Sequence, residues 1–278
     1  MPNVKYIPIT IGGRRKLTGF IQDGKYAALV VSLLIFGVSM LFYYSAKRGR
    51  KFEIKKKIAG FEAIPEAVGR ATELGKPIHG STGGSTTGSW RGPMVVAGTT
   101  LMGYVAELAA KNKMPFHVSV GYPDQIVLLD DMLRASYLKG GHPELYTSEQ
   151  VHYYGDSDSS YTGGMVGFIS RAKIGANFLL GGYGGEALFV AEAGNRLGAF
   201  QVAGTPAVWQ LPFLVTTCDY VMLGDELFAA GCMVTGNPAE TSFIAGQDLL
   251  KIVIIALTVI GTLAVTFGSN FLVQLLNM

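Results

Sequence analysis

The amino-acid sequence predicts an α/β domain with a doubly wound, largely parallel sheet, flanked by an N-terminal and a C-terminal transmembrane helix. Three observations support this fold class. Long apolar stretches lie near both ends of the 278-residue chain. Between them, short apolar runs of strand length alternate with helical segments. Charged residues make up only 15% of the chain, against about 25% in a typical soluble domain.

Both apolar stretches have the length of membrane spans. Residues 27–45 (AALVVSLLIFGVSMLFYYS) contain no charge, and a helix of this length measures about 28 Å, close to the thickness of the hydrocarbon layer. Residues 252–278 are also free of charge. We therefore expect one transmembrane helix over residues 25–46 and a second over residues 251–278. A buried core helix is the alternative for each.

Basic residues beside the first stretch predict its orientation. Residues 47–57 hold seven basic residues and one acid, whereas residues 1–25 hold five and one. Because cytoplasmic flanks carry the excess of Lys and Arg, we expect a two-pass protein of the cell membrane with both termini outside. An external N-terminal segment (1–24) is then followed, after the first helix, by a basic juxtamembrane segment (47–57) and a cytoplasmic domain (58–250). The basic segment also suits anionic lipids, although a topology signal alone is the simpler interpretation.

The formal net charge of +3 hides a strong separation of charge. Residues 58–250 contain 10 Lys and Arg against 18 Asp and Glu, whereas the remaining segments contain 13 against 2. The central domain is therefore acidic, and the basic residues are concentrated beside the predicted membrane spans. A block of basic residues without interleaved aromatic side chains is not typical of a nucleic-acid site, so no nucleic-acid partner is expected.

The central residues alternate between strand-like and helical patterns. Apolar runs of strand length are predicted at residues 77–80, 116–120, 151–154, 177–180, 200–203 and 220–223. Helices are predicted at residues 61–74, 93–112, 123–139, 161–173, 186–196 and 225–232. This order, with glycine following most strands, is typical of a Rossmann-like doubly wound domain with helices on both faces of the sheet. The order of the strands does not follow from it.

Two glycine-rich turns are the candidate ligand site. Residues 182–187 (GYGGEA) fit the pattern G-x-G-x-x-A between a strand and a helix, where a dinucleotide phosphate approaches the backbone. The loop at residues 80–89 (GSTGGSTTGS) offers many N–H and hydroxyl donors but lacks the lysine of a P-loop. The candidate ligand-binding residues are Ser81, Thr82, Gly83, Gly84, Arg91, Gly182, Gly184, Gly185, Glu186 and Thr205.

A structural role is the competing interpretation of these turns. Glu186 begins the predicted helix, where its carboxylate competes with a phosphate and interacts favourably with the helix dipole. No acid follows about 20 residues later to hold a ribose. We therefore predict no cofactor, and a nucleotide is kept as the alternative ligand. The four histidines lack metal-ligand spacing, so no metal site is predicted, and no catalytic residue is identified.

Three stretches of the chain together resemble a family of uncharacterised prokaryotic membrane proteins. They are residues 62–78 (EAIPEAVGRATELGKPI), residues 176–205, which include AEAGNRLGAFQVAGT, and residues 210–230 (QLPFLVTTCDYVMLGDELFAA). The resemblance covers about residues 58–265 and implies a membrane anchor joined to a cytosolic Rossmann-like domain. It implies no activity. The positions that it singles out are Glu192, Asn195, Arg196, Gln201, Thr205, Gln210, Asp219 and Glu226, for which hydrogen bonding within turns and subunit contacts are the simpler roles.

Two functions from different classes follow from these observations. The first is a membrane-anchored scaffold or accessory subunit that self-assembles through its α/β domain and transmembrane helices. Its expected partners are the lipid bilayer and either further copies of the chain or other proteins of a membrane complex. The alternative is a cytosolic-face domain that binds a nucleotide or another anionic metabolite. Because the sequence offers no complete catalytic set, an enzyme is the less favoured interpretation.

Overall fold

The computed structural model describes residues 26–50, 52, 54 and 57–267. The predicted external segment (1–24) and the end of the second predicted transmembrane helix (268–278) lie outside these residues. The described residues form two units. The helical unit lies within Met1–Phe52 and Ser242–Met278, and the α/β unit lies within Glu53–Thr241.

The helical unit is built from two long apolar helices, α1 (Tyr26–Lys47) and most of α10 (Pro238–Thr266). The rings of Tyr43 and Phe243 stack with their centroids 5.8 Å apart, and Phe42 lies against Gly246. Much of the remaining apolar surface of both helices is exposed. Helix α10 begins at Pro238, well before residue 251, where the second transmembrane helix was expected to begin.

Among the described residues, three helices are long and apolar enough to cross a membrane, judged by length and composition. They are α1 over Leu29–Lys47, α10, and α4 (Gly92–Lys111) of the α/β unit. The most apolar window of α4 is 50% buried, against 6% for each of the other two. Helix α4 packs on the sheet and on neighbouring helices, so its apolar residues serve the core of the α/β unit.

The α/β unit contains a six-stranded sheet in which every pair of neighbouring strands is parallel. The strands are β1 (Ile78–Ser81), β2 (Phe116–Val120), β3 (Val151–Tyr153), β4 (Ala176–Leu180), β5 (Phe200–Thr205) and β6 (Tyr220–Leu223). Their order across the sheet is β3-β2-β1-β4-β5-β6. The predicted α/β class with a largely parallel sheet is therefore confirmed.

Helices cover both faces of this sheet. Besides α4, they are α2 (Ala59–Glu62), α3 (Ile64–Glu73), α5 (Pro123–Lys139), α6 (Asp158–Ala172), α7 (Glu186–Arg196), α8 (Leu211–Thr217) and α9 (Glu226–Thr235). Successive residues of a strand face opposite sides, and β1 shows which helices lie on each. Gly80 lies against Met102 of α4, and Ser81 forms a hydrogen bond with Tyr161 of α6.

Helix α8 is one of the elements that the sequence-based assignment does not contain. It lies in an uncharged stretch interrupted by Pro206 and Pro212, which hides a helical pattern. Pro212 falls in the first turn of α8, where a missing N–H leaves no intrahelical bond unmade. A proline that looks like a helix breaker in the sequence therefore starts a helix in the structure.

The sheet order places the carboxyl ends of β1 and β4 side by side. The chain leaves β1 towards α4 on one face, and it leaves β4 towards α7, which packs with α6 on the other. Two loops that leave neighbouring strands in opposite directions define a topological switch point, the usual place for a ligand in an open α/β sheet. Both predicted glycine-rich turns lie at this point.

Candidate functional site

The switch-point loops, residues 82–91 after β1 and 181–185 after β4, pack directly against each other. The Gly182 amide donates a hydrogen bond to the carbonyl oxygen of Thr82 at 3.1 Å. Gly83 has a φ of +88°, and a Cβ atom there would lie 2.1 Å from the carbonyl oxygen of Gly182. Only glycine fits such a contact. The predicted residues on both loops are therefore close neighbours.

Glu186 closes the space between the switch-point loops. It is the first residue of α7 and is only 2% exposed. Its Oε1 atom accepts a hydrogen bond from the Gly84 amide at 3.0 Å, and its Oε2 atom accepts one from the Gly184 amide at 2.9 Å. A carboxylate is stabilised at a helix N-terminus by the helix dipole. It thereby occupies the position where an anionic ligand would bind.

Two buried tyrosines hold the end of β1 beneath the loops. The Tyr161 hydroxyl lies 2.6 Å from Ser81 Oγ, and the Tyr183 hydroxyl donates to the Ser81 carbonyl oxygen. Ser81 Oγ also accepts from the Gly83 amide at 3.1 Å. Burial raises the pKa of both tyrosines far above the physiological range, so both remain neutral donors. No motif in the sequence singles out either tyrosine.

Helix α5 fixes the first loop from the other side. The side-chain nitrogen Nε2 of Gln125, a fully buried residue, donates to the carbonyl oxygens of Gly83 at 3.2 Å and Ser85 at 2.8 Å. Asp124 accepts two hydrogen bonds from Thr87, one from its amide at 2.7 Å and one from its hydroxyl at 2.6 Å. Much of the donor capacity predicted to cradle an anion is therefore used inside the protein.

Three buried polar atoms near the loops have no hydrogen-bond partner among the described residues: Thr82 Oγ1, Arg91 Nε and Gln210 Oε1. Thr82 is completely buried, whereas Thr205, at the end of β5, accepts a hydrogen bond from the Ala207 amide at 3.2 Å. Since buried polar groups are normally paired, these three atoms are the unsatisfied part of the site.

An exposed aromatic patch adjoins the switch-point loops. It consists of Trp90, Arg91, Val208 and Trp209. The Arg91 guanidinium lies 4.9 Å from the Trp90 ring and 5.7 Å from the Trp209 ring, a cation–π arrangement. Trp90 is 66% exposed and Val208 is 70% exposed. Tryptophan and arginine are the residues that dominate protein interfaces, so this patch has the composition of a binding surface.

A polar row crosses the sheet beneath α6. It consists of His152 on β3, His117 on β2, His79 on β1, Asn177 on β4 and Gln201 on β5, and the last four lie in register. His117 Nδ1 and His152 Nε2 are 3.0 Å apart. The ring of Phe168 covers the three histidines, with centroid distances of 4.6 to 5.7 Å. The sequence shows the histidines but not that one row joins them.

Two hydrogen bonds of the polar row have a defined donor and acceptor. His79 Nδ1 donates to Asn177 Oδ1 at 2.8 Å, because an amide oxygen only accepts. Asn177 Nδ2 then donates to Gln201 Oε1 at 2.8 Å. Burial lowers the pKa of His79 and of His117 to about 4, and it also lowers that of His152. The three histidines are therefore neutral at pH 7, as a buried hydrogen-bonded chain requires.

Four of the eight positions singled out by the family resemblance, Gln201, Thr205, Asp219 and Glu226, form side-chain hydrogen bonds to the backbone. The Gln201 amide donates to Asp219 Oδ2 at 2.7 Å, and the Leu223 amide donates to Glu226 Oε2 at 2.9 Å. Glu192 and Arg196 form a surface ion pair one turn apart on α7, and Asn195 between them is exposed. Gln210 stands apart, because its buried Oε1 atom has no partner among the described residues.

Neither metal-ligand nor thiol chemistry emerges from this geometry. Within residues 26–50, 52, 54 and 57–267, no group of three or more His, Cys, Asp or Glu side chains is placed to hold a metal ion. Cys218 and Cys232 are both reduced thiols. Burial raises the pKa of Cys218 to about 12, so its thiol stays protonated and is a poor nucleophile.

Replacing Glu186 is expected to open the switch-point loops. In Glu186→Gln, the side-chain NH₂ group replaces one carboxylate oxygen. It faces the backbone N–H of Gly84 or of Gly184, and that N–H then has no acceptor. The free energy of unfolding should fall by about 1–3 kcal/mol in denaturant titrations of the purified chain. Glu192→Gln on the same helix removes only an exposed ion pair and should cost less than about 1 kcal/mol. Equal effects of the two variants would contradict the closing role of Glu186.

Acid is expected to destabilise the α/β unit through the polar row. Unfolded histidine binds a proton below pH 6.5, whereas folded His79 and His117 do so only near pH 4. The unfolded state therefore holds more protons in this window, and stability falls as the pH is lowered. Between pH 7.5 and 5 the loss should be on the order of 1–2 kcal/mol for a fully buried histidine.

Thermal unfolding across this range measures the effect of acid. His117→Gln should show a smaller acid-induced loss than the wild type, and His142→Gln, at a surface ion pair, should retain it. Asp124 and Glu107 do not interfere, because their lowered pKa values place their titration below pH 5. A pH-independent stability between 7.5 and 5 would refute the neutral polar row.

Comparison with known proteins identifies the family. No curated protein matches the chain, and no solved structure matches it. A family model described as Domain of unknown function (DUF6754) matches residues 17–276. The expected similarity to an uncharacterised family is confirmed in this respect. Since the match spans most of the sequence, the chain belongs to the family of the Domain of unknown function (DUF6754).

Proposed function

We propose that this protein is a membrane-anchored scaffold or accessory subunit that self-assembles through its α/β unit and its apolar helices. The observation that carries the proposal is the closed switch point beside an exposed aromatic patch. The carboxylate of Glu186 accepts hydrogen bonds from two backbone N–H groups at the place where a ligand would bind, whereas Trp90 is 66% exposed and Trp209 is 49% exposed. Burial of these rings would release ordered solvent and favour association.

The fold of the α/β unit is, in our proposal, Rossmann-like. The strand order β3-β2-β1-β4-β5-β6 agrees with the order that doubly wound dinucleotide-binding domains use. The ribose-binding acid of such domains has no counterpart at the end of β5, where residues 202–205 read VAGT. An assembly role on a fold that elsewhere binds nucleotides is physically reasonable, because function resides in the site and not in the fold.

The membrane arrangement we propose has two spans. Helices α1 and α10 expose most of their apolar surface, whereas α4 packs into the α/β unit. The seven basic residues of segment 47–57 favour its placement on the cytoplasmic side. Both termini then lie outside the cell membrane, and the α/β unit lies in the cytoplasm. Small residues on the spans, such as Gly37 and Gly261, allow close contact between helices of neighbouring copies.

A second candidate function is the binding of a nucleotide or another anionic metabolite at the switch-point loops. The buried Thr82 Oγ1 atom and the buried Arg91 Nε atom favour it, because both lack a partner among the described residues and lie beside the loops. Such a ligand would have to displace the Glu186 carboxylate from the amides of Gly84 and Gly184. This displacement makes the second candidate the less favoured of the two.

Assembly is tested by removing the aromatic patch. We expect the purified protein in a mild detergent to be a homo-oligomer by light scattering coupled to size-exclusion chromatography. The double variant Trp90→Ala/Trp209→Ala should associate at least about tenfold more weakly, since buried aromatic anchors dominate interfaces. The control Val127→Ser/Leu138→Ser changes two side chains of α5 that are similarly exposed and should keep the wild-type size.

Two results would contradict the scaffold proposal. One is a wild-type protein that is monomeric at every concentration. The other is an oligomer that the tryptophan variant leaves unchanged, because assembly through the patch would then be wrong. A melting temperature that rises with added nucleotides, together with a monomeric protein, would instead favour the second candidate, since a ligand that binds only the folded state stabilises it.

The proposed topology is tested by cysteine labelling. In a Cys218→Ser/Cys232→Ser background, Thr18→Cys should react with a membrane-impermeant maleimide on intact cells. Ser148→Cys, at an exposed position of the α/β unit, should react only after the membrane is made permeable. The positive-inside bias is the physical reason for this difference. Labelling of Ser148→Cys on intact cells would show that the α/β unit lies outside and would contradict the proposed topology.

A further inference from the structure

A tight glycine turn reverses the chain at the end of α1. Gly49 has a φ of +91°, its amide donates to the Ala46 carbonyl oxygen at 2.9 Å, and the Arg50 amide donates to the Ser45 carbonyl oxygen at 3.2 Å. These two hydrogen bonds are those of a Schellman motif, which ends a helix with a left-handed glycine. The chain after α1 therefore folds back along the last turns of the helix.

The reversal builds a groove at the end of α1. The Phe52 ring lies 5.3 Å from the Phe42 ring, and the Arg50 guanidinium lies 5.8 Å from the centroid of Phe52. The groove has a volume of about 500 Å³. Its walls are mainly apolar, with Leu41, Phe42, Tyr44 and Phe52 among them, and two arginines, Arg48 and Arg50, also line it.

Both arginines of the groove have free hydrogen-bonding capacity. Their side chains are exposed, and neither guanidinium has a carboxylate partner among the residues that the structure describes. A guanidinium presents planar N–H donors that match the oxygens of a phosphate. The uncovered side chain of Leu41, which is 71% exposed, supplies apolar surface in the same groove. Phosphate-binding donors beside apolar walls match the two chemical parts of a phospholipid.

We propose that this groove binds one anionic phospholipid, with its phosphate on Arg48 and Arg50 and an acyl chain along Leu41 and Phe42. The inference rests on the proposed function, because the groove meets lipid only if α1 crosses the membrane. It goes beyond a positive-inside signal, which depends on the number of basic residues and not on their position in a groove. Charge complementarity selects the anionic headgroup, since each basic residue near the surface attracts anionic lipid.

Lipid retention by the full-length protein tests the groove. Native mass spectrometry in a mild detergent, with added phosphatidylglycerol or phosphatidylcholine, should show one phosphatidylglycerol bound in preference to phosphatidylcholine. Arg48→Gln/Arg50→Gln should weaken phosphatidylglycerol binding at least about tenfold, because each substitution removes a guanidinium that donates charge-assisted hydrogen bonds to the phosphate. The control Lys47→Gln/Lys57→Gln removes two charges from the same segment at positions that do not line the groove, and should bind within about twofold of the wild type.

A second variant keeps every charge and alters the geometry. Gly49→Val places a β-branched side chain at a φ of +91°, which strains the turn that brings Arg50 and Phe52 back towards α1. It should reduce phosphatidylglycerol binding at least fivefold. Unchanged binding in Gly49→Val, or an equal loss in the lysine control, would overturn the site and leave only a general basic surface.

Two further experiments distinguish a failure of the groove proposal from a failure of the proposed membrane anchoring. Inorganic phosphate at 10 mM, added to a buffer that otherwise contains none, should leave phosphatidylglycerol binding unchanged. Full displacement of the lipid would show a site for free phosphate and overturn the lipid proposal. Alkaline extraction of membranes tests the anchor independently. A protein that stays in the membrane but does not discriminate between the two lipids overturns the groove alone, whereas a protein released by alkali overturns the proposed membrane anchoring.

Discussion

The backbone that follows β1 meets the backbone that follows β4 with no side chain between them. A hydrogen bond of 3.1 Å joins Gly182 to the carbonyl oxygen of Thr82, and the position of Gly83 leaves no room for a Cβ atom. This approach brings the amides of Gly84 and Gly184 to the two oxygens of one carboxylate. The hydrogen bonds of Ser81, Tyr161 and Gln125 then hold the first loop in this place. The contact therefore determines both the shape of the switch point and its occupancy by Glu186.

The sequence contains much of this arrangement because periodicity and glycine are local signals. Residues 116–120, 123–139 and 186–196 were predicted with the bounds that the structure has, since short apolar runs, proline in a first turn and a glycine turn mark them. The side chains under the loops were not predicted. Tyr161 and Gln125 reach the loops from distant positions in the chain, and such contacts depend on strand order, which no local pattern encodes.

The polar row is a second arrangement that the sequence alone does not predict. His79, His117 and Asn177 become neighbours only because three strands align in register across the sheet. Alone, each is an ordinary polar residue in an apolar strand. His79 pairs with Asn177 and with Ser119, and His117 pairs with His152, so each finds an uncharged partner, which is the condition for burying it under Phe168. The row contains no carboxylate, so the acidic side chains of residues 58–250 lie elsewhere.

Two unpaired buried polar atoms restrict which surfaces can cover the aromatic patch. Arg91 Nε and Gln210 Oε1 are buried beside Trp90 and Trp209 and lack partners among the described residues. Covering the indole rings with another copy of the chain removes the remaining water from Arg91. The guanidinium then needs an acceptor from that copy, because an unpaired buried charge costs more than the rings contribute. A partner that supplies only apolar surface fails this condition. The self-assembly that we propose would thus be selective, since the same arginine that stacks on both rings rejects a surface without an acceptor.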